Sequence, residues 1–149
     1  MNNQSEVVKT LEEVLANSYA LVVKTQNYHW NITGANFKPL HELFGAQYEE
    51  LFAALDELAE RIRTLGVKVE ASFEHFAKLS KAKKGNESLN ANEMLRDLIL
   101  DNQALIKALK AGIVTAQKNG DEATADIFIT RTQIHEKAVW MLESSSVKN

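Results

Sequence analysis

The chain has 149 residues, a formal net charge of -3 and no cysteine, with 45% hydrophobic and 25% charged residues. That is one domain's worth of chain, 1–149, with an ordinary globular balance and no net positive field to draw it onto nucleic acid or an anionic membrane. The missing cysteines exclude disulfides, thiolate metal sites and cysteine nucleophiles. No stretch approaches the roughly 18 apolar residues of a membrane span. The start, "MNNQSEVVKT", lacks a basic region followed by an apolar run, so a cytoplasmic location is expected.

From about Glu6 to Ile32, Val7, Leu11, Val14, Leu15, Val22 and Val23 recur at helical spacing, with Tyr19 on the same side. Gly34 interrupts the pattern, and Pro39 suits the first turn of a second helix, where its missing N–H costs nothing. This helix runs to about Leu65, with Gly66 placed to cap its C-terminus. The periodicity then weakens: "ASFEHFAKLS" can form a short helix and "KAKKGNES" reads as loop. Asn90 followed by Glu93 resembles a capping box and opens a third long helix that stops at "KNG". The fourth spans about Asp121 to Glu143, with Ile127, Ile134, Ala138 and Met141 expected on its core face. Four long helices joined by short, long and short connections predict an all-α, ferritin-like four-helix bundle whose long crossover contains the short helix.

The second helix carries more apolar surface than one bundle needs. Beside its leucine stripe runs another, Phe44, Tyr48, Phe52 and Ala59, although about a third of the circumference normally suffices. A generous core with a few exposed aromatics is one reading, and burial against a partner subunit is the favoured one. Along the second stripe lie His41, Gly45, Asp56 and Glu60. Asp56 and Glu60 are one turn apart, so their carboxylates share a face. His41 and Asp56 lie roughly 22 Å apart along a helix axis, too far to share a metal that each must approach to roughly 2 Å. An antiparallel pairing of this helix about a two-fold axis would bring His41 of one subunit towards Asp56 and Glu60 of the next. His29, near the end of the first helix, falls at the same end of the bundle as His41. An intersubunit metal site is therefore one expectation; ordinary helix-end histidines and a surface Glu57–Arg61 ion pair are the other.

Residues 27–66, "NYHWNITGANFKPLHELFGAQYEELFAALDELAERIRTLG", resemble the Dps family of ferritin-like mini-ferritins, and the resemblance continues through "NGDEATAD" and "HEKAVWML". It implies a ferroxidase centre at a two-fold interface, with His29 and His41 from one subunit and Asp56 and Glu60 from the other as iron ligands. Trp30 would flank that centre. It further implies a homo-oligomer, a dodecamer built from two-fold dimers, that oxidises Fe(II), preferentially with hydrogen peroxide, and stores ferric mineral in a hollow shell while protecting DNA. Asp121 and Asp126 match acids lining a three-fold pore through which iron enters, although acids in a first helical turn also favour the helix dipole. One departure is Gly45, where many relatives carry an acid; a second iron would lack that ligand and bind transiently.

The residue types suit the chemistry: imidazole and carboxylate ligate iron, and a peroxide-handling site does well without thiols. The residues three before the histidines are Gln26, Lys38, Ser72 and Thr132, so the paired Glu-x-x-His motif of intrabundle di-iron proteins is absent. A DNA-compacting protein with secondary iron chemistry is the alternative, and a structural bundle with a decayed site is a third reading. Lys78, Lys81, Lys83 and Lys84 form a basic cluster, but no lysine precedes Lys9 and the chain ends "SSSVKN". DNA binding is accordingly expected to be weak or absent. His75 and His135 are expected to be structural or surface residues.

Overall fold

The computed structural model describes residues 3–147, with side chains from Ser5 onward. Five helices follow in order: α1 (Asn3–Asn31), α2 (Phe37–Thr64), α3 (Phe73–Leu79), α4 (Ala91–Lys118) and α5 (Glu122–Ser144), with no strand among the described residues. None of these helices is long and apolar enough to cross a membrane. The first two residues and Lys148, which belong to the expected lysine-poor termini, lie outside the described residues.

Local chemistry sets the helix ends. The α2 terminus is a Schellman turn: Gly66 has φ +90°, its N–H donates to Arg63 O at 2.9 Å, and Val67 N–H donates to Ile62 O at 3.3 Å. Gly120, at φ +73°, closes α4 in the same way, with Asp121 N–H donating to Ala116 O at 2.9 Å. Asp121 thus ends one helix with its backbone and starts the next with its side chain, which accepts from Thr124 N–H at 2.9 Å. Half of the expected capping box forms: Asn90 Oδ1 accepts from Glu93 N–H at 2.9 Å, and the Glu93 carboxylate returns to the Asn90 side-chain amide in place of its backbone N–H.

α1 pairs with α2, α4 pairs with α5, and α1 packs against α4. The short connections make each pair antiparallel. The crossover between α2 and α4 is strapped to α1: Asn17 Oδ1 accepts from Lys81 N–H at 2.9 Å, Asn86 N–H donates to the Tyr28 hydroxyl at 3.2 Å, and the Phe76 ring of α3 stacks on Tyr19 at 4.8 Å. Leu11, Tyr28, Phe44, Leu58, Leu98 and Phe128 are among the fully buried side chains, each stabilising the fold by about 1.5–3 kcal/mol before entropy is counted.

Two expectations about helix faces need correction. The core face of α5 is Thr124, Ala125, Phe128, Arg131, Thr132, His135 and Leu142, not the expected Ile127, Ile134, Ala138 and Met141. Ile127 only flanks the core, while the other three line a cleft of about 340 Å³ between α2 and α5. Polar residues occupy the inner face because their partners are inside: Thr132 donates to Phe128 O at 2.7 Å, and His135 bonds Asn102 at 2.8 Å. On α2, Phe44 belongs to the bundle's own core, whereas Phe52 is 57% exposed. The surplus apolar surface is therefore narrower than the sequence suggested, and lies around Phe52, Phe37 and the neighbouring Trp30.

Candidate metal centre

The five-residue connection 32–36 turns the chain so that the last turn of α1 and the first turns of α2 lie side by side. This brings His29 and His41 together. Their rings stack with centroids 3.8 Å apart and planes 11° from parallel. Each Nδ1 lies 2.6 Å from the other residue's backbone carbonyl oxygen. A carbonyl only accepts, so both Nδ1 atoms carry the proton and donate, and both Nε2 atoms keep a lone pair. Fixing the distal tautomer through a backbone carbonyl is how metal-ligating imidazoles are commonly oriented. Phe37 stacks on His41 at 5.0 Å, and Tyr48 meets His29 edge-on at 5.3 Å.

Trp30, beside His29 in the chain, is 67% exposed. Asp56 and Glu60 are exposed on α2, and neither has a partner among the described residues. Because α2 is one uninterrupted helix, the 15 residues from His41 to Asp56 hold them roughly 22 Å apart. Within the described residues no three metal-ligating side chains come together. One chain thus brings His29 and His41 into a pair and keeps Asp56 and Glu60 away from it. The possible Glu57–Arg61 surface pair does not form. Arg61 instead donates to Asp121 Oδ1 at 2.8 Å and to Thr124 Oγ1 at 3.0 Å.

That contact also defines Asp121. Its other oxygen accepts from Thr124 Oγ1 at 2.6 Å, so one carboxylate oxygen joins α2 to α5 and the other is held within the start of α5. Burial pushes the Asp121 carboxyl up, but the Thr124 hydrogen bonds and the Arg61 charge outweigh it and hold it below the ordinary carboxylate value. Asp126, one turn further along α5, is exposed. Lys78, Lys81, Lys83 and Lys84 are exposed on α3 and the crossover.

Two buried polar networks were not anticipated. Arg131 grips Glu50 through both guanidinium amines, at 2.5 and 2.9 Å, and donates to His135 Nε2 at 3.2 Å. His135 Nδ1–H then donates to Asn102 Oδ1, joining α2, α5 and α4. Burial, aided by the Arg131 charge, holds His135 down to about 3, so it is neutral. On the other side, Lys24, 2% exposed at its side chain, pairs with Asp101 at 2.7 Å and Asp97 at 3.3 Å. Tyr28 donates to Asp97, and burial and that contact raise its hydroxyl above the ordinary value. Burial likewise raises the Asp101 carboxyl, although Lys24 pulls against it. The available signal was the four-residue spacing of Lys24/Tyr28, Asp97/Asp101 and Arg131/His135, which puts each polar pair on one inward helix face.

Residues 8–147 match the Ferritin-like domain family, which is the class that the fold defines. A curated relative, "DNA protection during starvation protein" of Brevibacillus brevis, is 36% identical over 95% of each chain. The Dps structure from Staphylococcus aureus superimposes with a TM-score of 0.95 at 32% identity, covering 100% of both chains. A Dps protein from Vibrio cholerae O1, described as a member of a broad superfamily of ferritin-like diiron-carboxylate proteins, gives a TM-score of 0.91 at 31% identity, over 95% of this chain and 89% of that one. The chain belongs to the Dps family of ferritin-like proteins.

Proposed function

We propose that this chain is the subunit of an iron-storing ferroxidase that consumes Fe(II) and hydrogen peroxide together and so protects DNA from oxidative damage. The observation that carries the reading is the His29–His41 pair, stacked and tautomerically fixed with two Nε2 lone pairs free. Asp56 and Glu60 of a second subunit, unpaired among the described residues of this one, would complete the ligand set across a two-fold axis. The exposed Trp30 and Phe37 beside the pair, and Phe52 further along α2, supply apolar surface for that interface. Relatives named for DNA protection and for diiron-carboxylate membership support the assignment.

In this reading iron is the substrate. The imidazoles hold Fe(II) without adding charge, and the two carboxylates favour the extra positive charge of Fe(III). Each Fe(II) gives one electron; two of them reduce one peroxide, whose O–O bond breaks to give two hydroxides, and ferric product passes to mineral. Twelve subunits would enclose the store. Asp126, exposed and without a partner among the described residues, would draw iron through a three-fold pore, and Asp121 would contribute charge from its structural position.

The test is Fe(II) oxidation by stoichiometric peroxide in the wild type and in His29→Ala/His41→Ala, followed by iron absorbance. Rapid oxidation with a soluble iron core, lost in the double variant, is expected. Equal rates would remove these histidines from the chemistry.

A further inference from the structure

On local grounds the first turn of α2 is a poor helix start. Its N-cap, Asn36, makes no side-chain cap bond and no acid stands in the turn, while Lys38 sits at the positive end of the helix dipole. Phe37, the first residue, is 43% exposed, which leaves apolar area of this subunit in water. A ring kept there has another use, and its contacts show which. Phe37 and His41 are one turn apart, so they share a face of α2. The Phe37 ring lies on one face of His41 at 5.0 Å, 25° from parallel, and His29 covers the opposite face at 3.8 Å. His41 Nδ1 is bonded to His29 O at 2.6 Å. Among the described residues, the His41 imidazole is thus closed on both faces and at Nδ1, and its Nε2 edge stays open.

We infer that Phe37 is a positioning residue of the metal centre: it is the wall that holds the His41 ring in register with His29. This rests on the ferroxidase reading of the His29–His41 pair and deepens it. His29 comes from α1 and His41 from α2, so the stack can open if the His41 ring swings away from α1. Phe37 stands on the side to which that ring would move. Its own place is set by the connection: Gly34, at φ +114°, turns the chain, and its carbonyl accepts from Phe37 N–H at 3.1 Å. The backbone turn that brings the two histidines side by side therefore also sets the wall behind one of them. This role needs a flat face as well as apolar bulk. A contribution of Phe37 to a subunit interface needs only the bulk, which separates the two. His29 has no such wall beyond the stack, since it meets Tyr48 edge-on at 5.3 Å and 66°, so loss of the Phe37 ring acts on His41 first.

The experiment uses the assembled protein with histidine selectively labelled for NMR, and Co(II) as the metal probe, in wild type, Phe37→Leu and Phe37→Tyr. Leucine keeps apolar bulk and removes the flat face, whereas tyrosine keeps both. Phe37→Leu is expected to retain its helical circular dichroism and its sedimentation. Its His41 ring signals should shift more than those of His29, and it should bind Co(II) about tenfold more weakly, as when a ligand's orienting contact is lost. Phe37→Tyr should bind Co(II) within about twofold of wild type. A thermal double-mutant cycle adds a readout independent of metal: the Phe37→Leu effect on Tm should shrink once His41→Ala has removed the ring. Unmoved His41 signals, Co(II) affinity in Phe37→Leu within about twofold of wild type, or equal weakening in Phe37→Tyr and Phe37→Leu would each overturn the proposal. Weakening that comes only with altered sedimentation would overturn it too, because Phe37 would then act through the interface. If His29→Ala/His41→Ala left Co(II) binding unchanged, the metal-centre reading would fail, and ring signals with the thermal cycle would still decide whether Phe37 seats His41.

Discussion

His29 and His41 hold one another by their backbones: the Nδ1–H of each donates to the carbonyl oxygen of the other at 2.6 Å. The arrangement joins the end of α1 to the start of α2 and at the same time leaves two imidazole lone pairs uncommitted. In the proposed centre, a packing contact between two helix ends and the preparation of two metal ligands would be one interaction. Either substitution should therefore affect both properties.

His29→Ala removes one ring of the stack and one of the two reciprocal hydrogen bonds. A loss of about 1–2 kcal/mol is expected, together with the loss of Fe(II) oxidation. Urea unfolding and peroxide-driven oxidation on the same preparation check this. Unchanged oxidation with lowered stability would make the pair purely structural.

Among the buried groups, His135 gives a pH signature. The folded state holds it neutral down to about 3, whereas in the unfolded chain it titrates near 6.5. Between those values the unfolded chain binds a proton that the folded chain does not, so stability falls as pH drops below about 6.5, by up to about 1.4 kcal/mol per pH unit. In His135→Gln the fall in urea midpoint between pH 7 and pH 5 should be smaller than in wild type, at equal protein concentration. An identical fall would contradict the assignment.

Glu50→Gln should be costly for an exposed-side acid. Glu50 is the bidentate partner of Arg131, whose side chain is 3% exposed, and a buried guanidinium left without its counter-charge costs about 2 kcal/mol or more. A double variant, Glu50→Gln/Arg131→Met, should recover part of the loss in urea unfolding. Additive losses would mean that the two residues do not act as a pair.

The two acids of α5 should separate. Asp121→Ala removes a helix cap and the Arg61 anchor, and a loss of about 1–2 kcal/mol is expected. Because its folded pKa is depressed, that contribution is present above the unfolded value and disappears as pH falls through the folded one. Asp126→Asn should leave stability within about 0.5 kcal/mol while slowing iron uptake. Equal uptake in Asp126→Asn and wild type would remove this carboxylate from the iron route.

Much of the fold was legible because its signals are local. Gly66 as a C-terminal cap, the Asn90–Glu93 box and the short helix around Phe76 each depend on neighbours within a few residues. The α5 core face was not legible, since Arg131, Thr132 and His135 are inside only because Glu50, Phe128 O and Asn102 satisfy them, and hydropathy does not register partners. The pairing of His29 with His41 followed from their places at the two ends of one turn. That Gly45 leaves room for the His29 ring was not legible, because a contact with a ring from another helix is a tertiary fact. Arg61 likewise read as a neighbour of Glu57 until the start of α5 was seen to lie beside it.

The claim that the centre is shared between subunits is tested most directly by complementation. His29→Ala/His41→Ala subunits, with intact carboxylates, are mixed under dissociating conditions with Asp56→Ala/Glu60→Ala subunits, with intact imidazoles, and reassembled. Each parent alone should fail to oxidise Fe(II) with peroxide. In the mixture, half of the two-fold pairs are hybrids carrying one complete centre, so about one quarter of wild-type activity should return. No recovery in a mixture shown to contain hybrid dimers would contradict an intersubunit centre.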